Sequence, residues 1–389
     1  MTATPRNADH LVIGGGPAGS MLAMRLASAG CRVLLVEKER GPHHKVCGEF
    51  LSREAIEYLH RDGVNPRQLG AVPIHTLRLS CGTHAAETVL PFPAFSLSRR
   101  TLDESMLAVA KDRGTEIVRG LGVESLSQCG SNWHVSLSNG QSLRAEKVFL
   151  ASGKHNLRGF TRVHASQPDL IGFKMHWQLA PAQTAALRGY MDLYLFSGGY
   201  GGLSLVENEV ANLCLVVRRS TLLKIGAWPQ LLDSILRTNP HLQQLLESAT
   251  PVWLRPLAIS PIPYGYFIRE SRGLWRLGDQ AAVIPSFTGD GISIALHSAA
   301  LAAQMFLAGF RAAEYHRVLR AQLHRSMNLA TKLSHIAVTS FGRAAAIAVL
   351  PHFPAAMRWV ATSTRISQSS LVLRNLESDG GEPTARQNA

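Results

Sequence analysis

The pattern of apolar and polar positions changes rhythm along the chain, and the changes divide it. Apolar residues 11–13 are followed by glycines and an apolar-periodic stretch of helix length. A second apolar run, 33–36, ends in Glu37, so the predicted order is strand, turn, helix, strand. A helix is predicted from Ser52, with Arg53 and Glu54 in its first turn. From 73 to 95 the rhythm shortens toward period two, with strands expected at 74–80 and 87–90 and a turn at Cys81-Gly82-Thr83. Helical spacing returns with Leu102, Met106 and Val109 and stops at Gly114, before a strand at 117–118. Residues 121–145 read as antiparallel strands turned at Gly130-Ser131-Asn132 and Asn139-Gly140, and 148–151 is a further strand. Sheet character continues at 172–179, 189–196, 201–206 and 212–217, with one helical insertion at 228–246. A short strand at 274–277 precedes a long helix to about 307, and the chain beyond Gly309 is helical to about 338. An apolar, Arg-bearing segment follows at 341–364, and the Gly-, Ser- and charge-rich residues after 376 predict a disordered tail.

A chain of 389 residues, 46% hydrophobic and 17% charged, can bury one large core or two, which implies two connected domains. Forty Lys and Arg against 27 Asp and Glu give a formal charge of +13, favouring anionic partners. The basic residues are dispersed and form no run interleaved with aromatics, so nucleic acid is not expected. Cys31, Cys47, Cys81, Cys129 and Cys214 are odd in number and never in C-x-x-C spacing, which suggests reduced thiols. The first nine residues lack a signal-like apolar core and no run reaches membrane-span length, so a cytoplasmic protein is expected. The segment 341–364 could instead lie peripherally on the inner face of a membrane. The preferred reading is that it closes the substrate domain. Oligomeric state is not legible in the sequence.

Candidate chemistry starts at the first turn. Gly14, Gly16 and Gly19 have G-x-G-x-x-G spacing between a strand and a helix: one glycine for the tight turn, one for close approach of a pyrophosphate, one for helix packing. The helix N-terminus offers unpaired N–H groups to phosphate. Glu37, at the tip of the second strand, can take two ribose hydroxyls, and an acid rather than an Arg there suits FAD or NAD better than NADP. Cys47-Gly48-Glu49 follows a Gly-Pro loop and is either structural or on the cofactor side. His43 and His44 have no further ligand at a metal spacing, so solvated loop histidines and no metal are expected. Arg99 and Arg100 stand before a helix, either as surface charge or as a phosphate or ribose contact. Ala151-Ser152-Gly153 ends a parallel strand where ligand contacts are placed. Gly278-Asp279 and Gly289-Asp290-Gly291 would bring backbone, an acid and a second helix N-terminus to a planar ring. Aromatic residues between Phe173 and Phe267 are mostly sheet core, with a subset expected to face an apolar pocket.

Taken together, residues 10–330 resemble the two-domain FAD-dependent oxidoreductases of the aromatic-hydroxylase type, most closely their geranylgeranyl-reductase-like branch. IGGGPAGS is similar to that family's ADP-binding motif, which implies Gly14, Gly16, Pro17, Ala18 and Gly19 as cofactor contacts, with Glu37 and Lys38 following. RRTLD resembles its Arg-x-x-Leu-Asp element and singles out Arg99. GDQAAVIPSFTGDGISIAL resembles the region beside the flavin ring, implying Gly278, Asp279, Pro285, Gly289, Asp290, Gly291 and Ile292. Cys47-Gly48 looks like the Cys-Gly of the reductase branch. The resemblance implies an α/β fold: a Rossmann-like FAD-binding domain of GR2 type (1–72, 96–160, 268–330), an inserted mixed-sheet substrate domain (73–95, 161–267), C-terminal helices (331–375) and a tail (376–389).

Departures limit it. Hydroxylases of this type carry Ala-Asp-Gly where this chain has Ala151-Ser152-Gly153, with Arg158 beyond. The Trp motifs of prenyl reductases and of flavin halogenases are absent, and PYGYF at 263–267 stands in the comparable region. KVCGEFLS and ASGKHNLRG are similar to flavoproteins that accompany type III polyketide synthases. The function implied is hydroxylation of an apolar phenolic-lipid or polyketide ring with NAD(P)H and O2, in which the cofactor carries the chemistry. Cys47 and Glu49 would border the ring, with Tyr264 and Tyr266 orienting substrate. Saturation of an isoprenoid double bond, with Cys47 relaying a proton, is the second reading, and a non-catalytic flavin-binding redox protein the third.

Overall fold

The computed structural model describes residues 7–162, 166–349 and 354–372. Its first sheet has seven strands, in the order Glu116–Arg119, Val33–Glu37, Asn7–Ile13, Ser142–Leu150, Asn132–Leu137 and Val123–Cys129, with Trp275–Arg276 added beside Ser142–Leu150. Val33–Glu37 is buried along its whole length, as expected of a parallel strand covered on both faces. The parallel register sets Ile13 beside Val36 on one side and Leu150 on the other. Three backbones therefore end together at one edge, where ligands bind in open α/β sheets. Helices Pro17–Ser28, Arg99–Asp112 and Gly291–Leu307 pack into the core on one face of this sheet.

A second sheet of nine strands is built around Leu170–Gln178, Ala211–Arg218, Gly199–Leu205, Tyr190–Phe196, Val72–Cys81 and His84–Ser96, hydrogen-bonded in that order. Side chains alternate across it. Tyr194, Phe196, Leu213 and Leu215 join Leu231, Ile235, Leu242 and Leu245 in a separate core. Met191, Leu193 and Leu195, offset by one residue, face a cavity instead. The protein is thus a mixed α/β fold of a Rossmann-like nucleotide domain and a second mixed sheet, closed by C-terminal helices.

Three elements differ from expectation. The insertion at 228–246 is two helices, Trp228–Thr238 and Pro240–Leu246, because the residue before a proline is driven out of helical geometry and Asn239 adopts φ −133°. The strand expected at 87–90 runs from His84 to Ser96 despite Pro91 and Pro93. Pairing passes from Thr76–Val89 to Ile74–Ala94, so both prolines fall in a bulge that needs no N–H donor. Helix Ala312–Ala337 runs unbroken through the boundary expected at 331, and the segment 341–364 contains helices Ser340–Val349 and Pro354–Ser363. The tail at 376–389 lies outside the described residues. Among those, no helix is long and apolar enough to cross a membrane.

Candidate functional site

A cavity of about 1000 Å³ lies between the carboxyl edge of the first sheet, one face of the second and the C-terminal helices. At its polar end the chain leaves Ile13 through Gly14, whose φ of +103° suits glycine, and a side chain there would collide with the Ala151 carbonyl. A side chain at Gly19 would strike the Gly14 carbonyl, so close packing of helix on strand depends on glycine. Gly16, Pro17 and Ala18 line the cavity; Gly19 lies behind them. Glu37 also lines it, 4% exposed, accepting from the backbone N–H groups of Gly15 at 2.6 Å and Glu39 at 3.0 Å. Lys38 reaches His155, with 3.2 Å between their nitrogens. Asp103 holds the Nε and Nη2 of Arg99 at 2.7 and 2.8 Å and also takes Lys45, fixing a guanidinium in the cavity wall. Arg100 is exposed.

Ala151, Ser152 and Gly153 line the same end, and the Ser152 hydroxyl donates to the His155 carbonyl. Two residues that sequence reading passed over fix this turn. Gln280 donates to the carbonyls of Gly153 and His155, both at 2.8 Å. Buried Arg162 donates to the carbonyls of Gly153, Lys154 and Asp279. Gln280 adjoins the Gly-Asp pair and could have been flagged by that position; Arg162 lies in irregular chain and had no pattern to announce it. Arg158 is exposed and lies outside the cavity wall.

Gly278 and Asp279 line the cavity, as do Gly289, Gly291 and Ile292. Pro285 and Asp290 do not. Asp290 is 1% exposed and turned onto Arg365, and burial pushes its carboxyl up to about 6 against the pull of that guanidinium. Tyr264 lines the cavity and donates to the Ser286 hydroxyl at 2.7 Å. Tyr266 is placed elsewhere, its hydroxyl 3.4 Å from Nη1 of Arg276, so it is not in position to orient a substrate.

Cys47, Gly48 and Glu49 form the wall between the polar end and the second sheet. Glu49 has φ +61° and is fully buried, a conformation that costs a non-glycine residue on the order of 1 kcal/mol or more. Its carboxylate accepts from the Arg99 N–H at 2.7 Å, pairs with the ammonium of Lys174, and lies 3.2 Å from His176 Nε2. Burial alone would raise this carboxyl; Lys174 and His176 outweigh it and hold it below the usual range. His44 is a correction to the expectation of a solvated histidine. Its ring packs edge-on against His176 and at a tilt against Trp253, lines the cavity, and is held neutral, down to about 4, chiefly by burial. His43 is half-buried with Nδ1 3.1 Å from the Gly41 carbonyl. His44, Glu49 and His176 bring three potential ligand atoms within 4.8 Å, but the Lys174 ammonium already neutralises the carboxylate a cation would need.

The residues present fit a bound dinucleotide. Helices Pro17–Ser28 and Gly291–Leu307 both begin without a side-chain cap, leaving first-turn N–H groups for a ligand, and residues at both starts line the cavity. At Gly48, Gly153 and Gly291 an added Cβ would meet no protein atom within 4 Å, so bare backbone faces open space at three points of the wall.

Residues 7–150 match the FAD binding domain family. The chain is an FAD-dependent oxidoreductase. This oxidoreductase is 25% identical over 391 residues to menaquinone reductase of Mycobacterium tuberculosis, an alignment covering 95% of this chain and 90% of that one. It is 32% identical to rifampicin monooxygenase of Streptomyces venezuelae over 150 residues, 37% of this chain and 32% of that one. Its fold superimposes on a halogenase solved with phloroglucinol and FAD with a TM-score of 0.74 at 15% identity, covering 93% of this chain and 89% of that one. In the oxidoreductase, the glycine turn, Glu37 and Arg99 would hold the ADP half of FAD, and the loops at 151–153, 278–279 and 286–292 the flavin half.

Proposed function

We propose that the oxidoreductase is a monooxygenase that hydroxylates an electron-rich ring on an apolar, lipid-like molecule, using NAD(P)H and O2. The observation that carries this reading is the two-sided cavity. Beyond the polar cradle its wall turns to Leu77, Leu79, Leu90, Phe92, Met191 and Leu193 on the sheet and to Leu333, Met357 and Val360 on the C-terminal helices. Such a wall suits an apolar molecule placed against the cofactor and excludes water from the reaction. FAD, when bound and reduced, supplies the electrons and the O2 chemistry. Burial raises the hydroxyls of Tyr200 and Tyr264, so they stay protonated and serve as hydrogen-bond donors rather than bases. His44, held neutral down to about 4 by burial, lines the cavity where its two halves meet as a polar but weakly basic part of the wall.

A second reading has its own support: the likeness to menaquinone reductase spans nearly the whole chain. In that reading the apolar wall holds an isoprenoid, and Cys47 relays a proton to a reduced carbon. One experiment separates the two. Reduced protein is mixed with long-chain phenols or polyprenyl quinones, with and without 18O2, and the products are weighed. A phenol gaining one labelled oxygen supports hydroxylation. A quinone that still carries two extra hydrogens on its isoprenoid chain after any quinol has been reoxidised refutes it in favour of alkene reduction. Phe341 and Trp359 are exposed on the C-terminal helices beside Arg343 and Arg358, which supports delivery of substrate from an anionic membrane surface.

A further inference from the structure

Helix Gly291–Leu307 begins at the flavin-side loop, and its N-cap residue, Asp290, makes no side-chain cap. A carboxylate at a helix N-terminus ordinarily gains from the dipole and from capping the first N–H groups. Here it points the other way, onto the Arg365 guanidinium at 2.7 Å, and the two side chains are 1% and 5% exposed. The contact has the distance of an ion pair without the angles of a hydrogen bond.

Arg365 comes from a distant part of the chain. It follows helix Pro354–Ser363, its Nε donates to the Ala361 carbonyl at 2.9 Å, and its Nη2 donates to the Thr288 carbonyl in the flavin-side loop. Its guanidinium sits 5.1 Å from the Phe92 ring centroid and 6.0 Å from that of Phe50. Arg365, Thr288, Gly289 and Gly291 all line the cavity. A buried charge pair therefore lies directly behind the backbone that borders the flavin half of the site. Reduction of a flavin adds negative charge to its ring, and in a dry setting nearby fixed charges act with little screening.

We propose that Arg365 is a positioning residue for the flavin: by neutralising Asp290 and holding the Thr288 carbonyl, it fixes the ring-side loop and sets the reduction potential of bound FAD. The C-terminal helices that close the substrate cavity thereby also tune the cofactor. The inference rests on FAD being held in this cavity and is independent of which substrate reacts.

The test measures the two-electron potential of FAD bound to the full chain at pH 8, by equilibration with a reference dye, for the wild type, R365M, R365K, D290N and R365M/D290N. R365M leaves an uncompensated carboxylate and is expected to lower the reduced-to-oxidised ratio at a fixed potential about tenfold, equivalent to about 30 mV for two electrons. D290N leaves the guanidinium unopposed and is expected to raise the ratio. The double variant should return to within about twofold of wild type, and R365K should stay close to it. Loss of packing alone cannot produce shifts of opposite sign that cancel. Shifts of the same sign, or no shift in either single variant, overturn the proposal. If R365M does not retain FAD, D290N decides: a raised ratio supports the proposal, and an unchanged or lowered one overturns it.

Discussion

Replacing Lys174 by Met isolates the buried charge cluster beside Cys47. Both members of the Glu49–Lys174 pair are fully buried, so Met fills similar volume but leaves a carboxylate with no cation against it. Breaking a buried pair from one side costs roughly 3 to 5 kcal/mol. Glu49 keeps its bonds to the Arg99 N–H and His176, which puts the expectation at the lower end, about 3 kcal/mol. With an unfolding entropy of about 2.1 cal/mol/K per residue, 389 residues give about 0.8 kcal/mol/K, so the melting temperature should fall by about 4 °C. The assay is calorimetry on FAD-free protein, since bound FAD would add its own stabilisation. In the wild type Glu49 is depressed, so its stabilisation is present above its unfolded value of 4.5 and is lost as pH falls through the native value. In K174M burial loses its main opponent and the carboxyl rises, so the penalty should be large at pH 8 and shrink toward pH 4.5. E49Q/K174M, with no charge left to bury, should recover part of the loss. A K174M protein that melts within about 1 °C of wild type, or whose deficit is the same at both pH values, would refute the reasoning.

G291V should leave the FAD-free protein as stable as wild type, because its Cβ meets no protein atom within 4 Å, yet weaken FAD binding at least about tenfold, or 1.4 kcal/mol, by fluorescence titration. Equal affinity would place the flavin away from this helix terminus. Asp290 is raised to about 6 from 3.8, so its contribution favours folding below about 4 and is lost as pH rises through 6, a swing of about 3 kcal/mol. Arg365, Thr288, Thr364 and Glu54 are the groups acting on it, and a comparison of urea midpoints should show that D290N removes this slope. C47S should keep the hydroxylated product if oxygen transfer is the reaction; loss of turnover with normal FAD binding would favour the proton-relay reading. F341S/W359S should reduce sedimentation with vesicles containing phosphatidylglycerol several-fold without changing the melting temperature; unchanged sedimentation would remove the membrane surface as a source of substrate.

What the sequence revealed of the site was mostly local. Asn7 to Glu37 form a strand, turn, helix and strand within 31 residues, and their glycine spacing and terminal acid are set by backbone geometry that hardly depends on the rest of the chain. The loop from Gly278 to Gly291 was legible for the same reason. The groups that the sequence hid are joined across long separations: Glu49 to Lys174 and His176, Arg365 to Asp290 and Thr288, Arg162 to the Asp279 carbonyl. A Lys on a sheet strand carries no local mark that its ammonium will be buried. His44 looked solvated because its partners, His176 and Trp253, arrive from the second sheet and the loop beyond it. Asp290 appeared to belong with the glycines that flank it, and only the tertiary structure shows that backbone and side chain at this position serve opposite sides of the wall.

That division bears on how the cavity can work. Three carboxylates in or behind its wall are tied to cations: Asp103 to Arg99 and Lys45, Glu49 to Lys174, Asp290 to Arg365. Each of these three carboxylates is matched by a cation, and Glu37 by two backbone N–H groups, so the flavin end gains a fixed electrostatic setting without presenting a strong base to the apolar end. A phenol lying against Met191, Leu193 and Phe92 would find little base strength: His44, at the border of the two halves, is held neutral down to about 4 by burial, and its Nδ1 is closed off from the cavity. The phenol would therefore keep its proton up to oxygen transfer, with His44 serving as part of the wall. H44Q should leave FAD binding unchanged and slow oxygen transfer to a phenol and to its methyl ether alike. Slowing of the phenol at least about tenfold more than the ether, about 1.4 kcal/mol in the barrier, would show that His44 takes the proton and refute this reasoning.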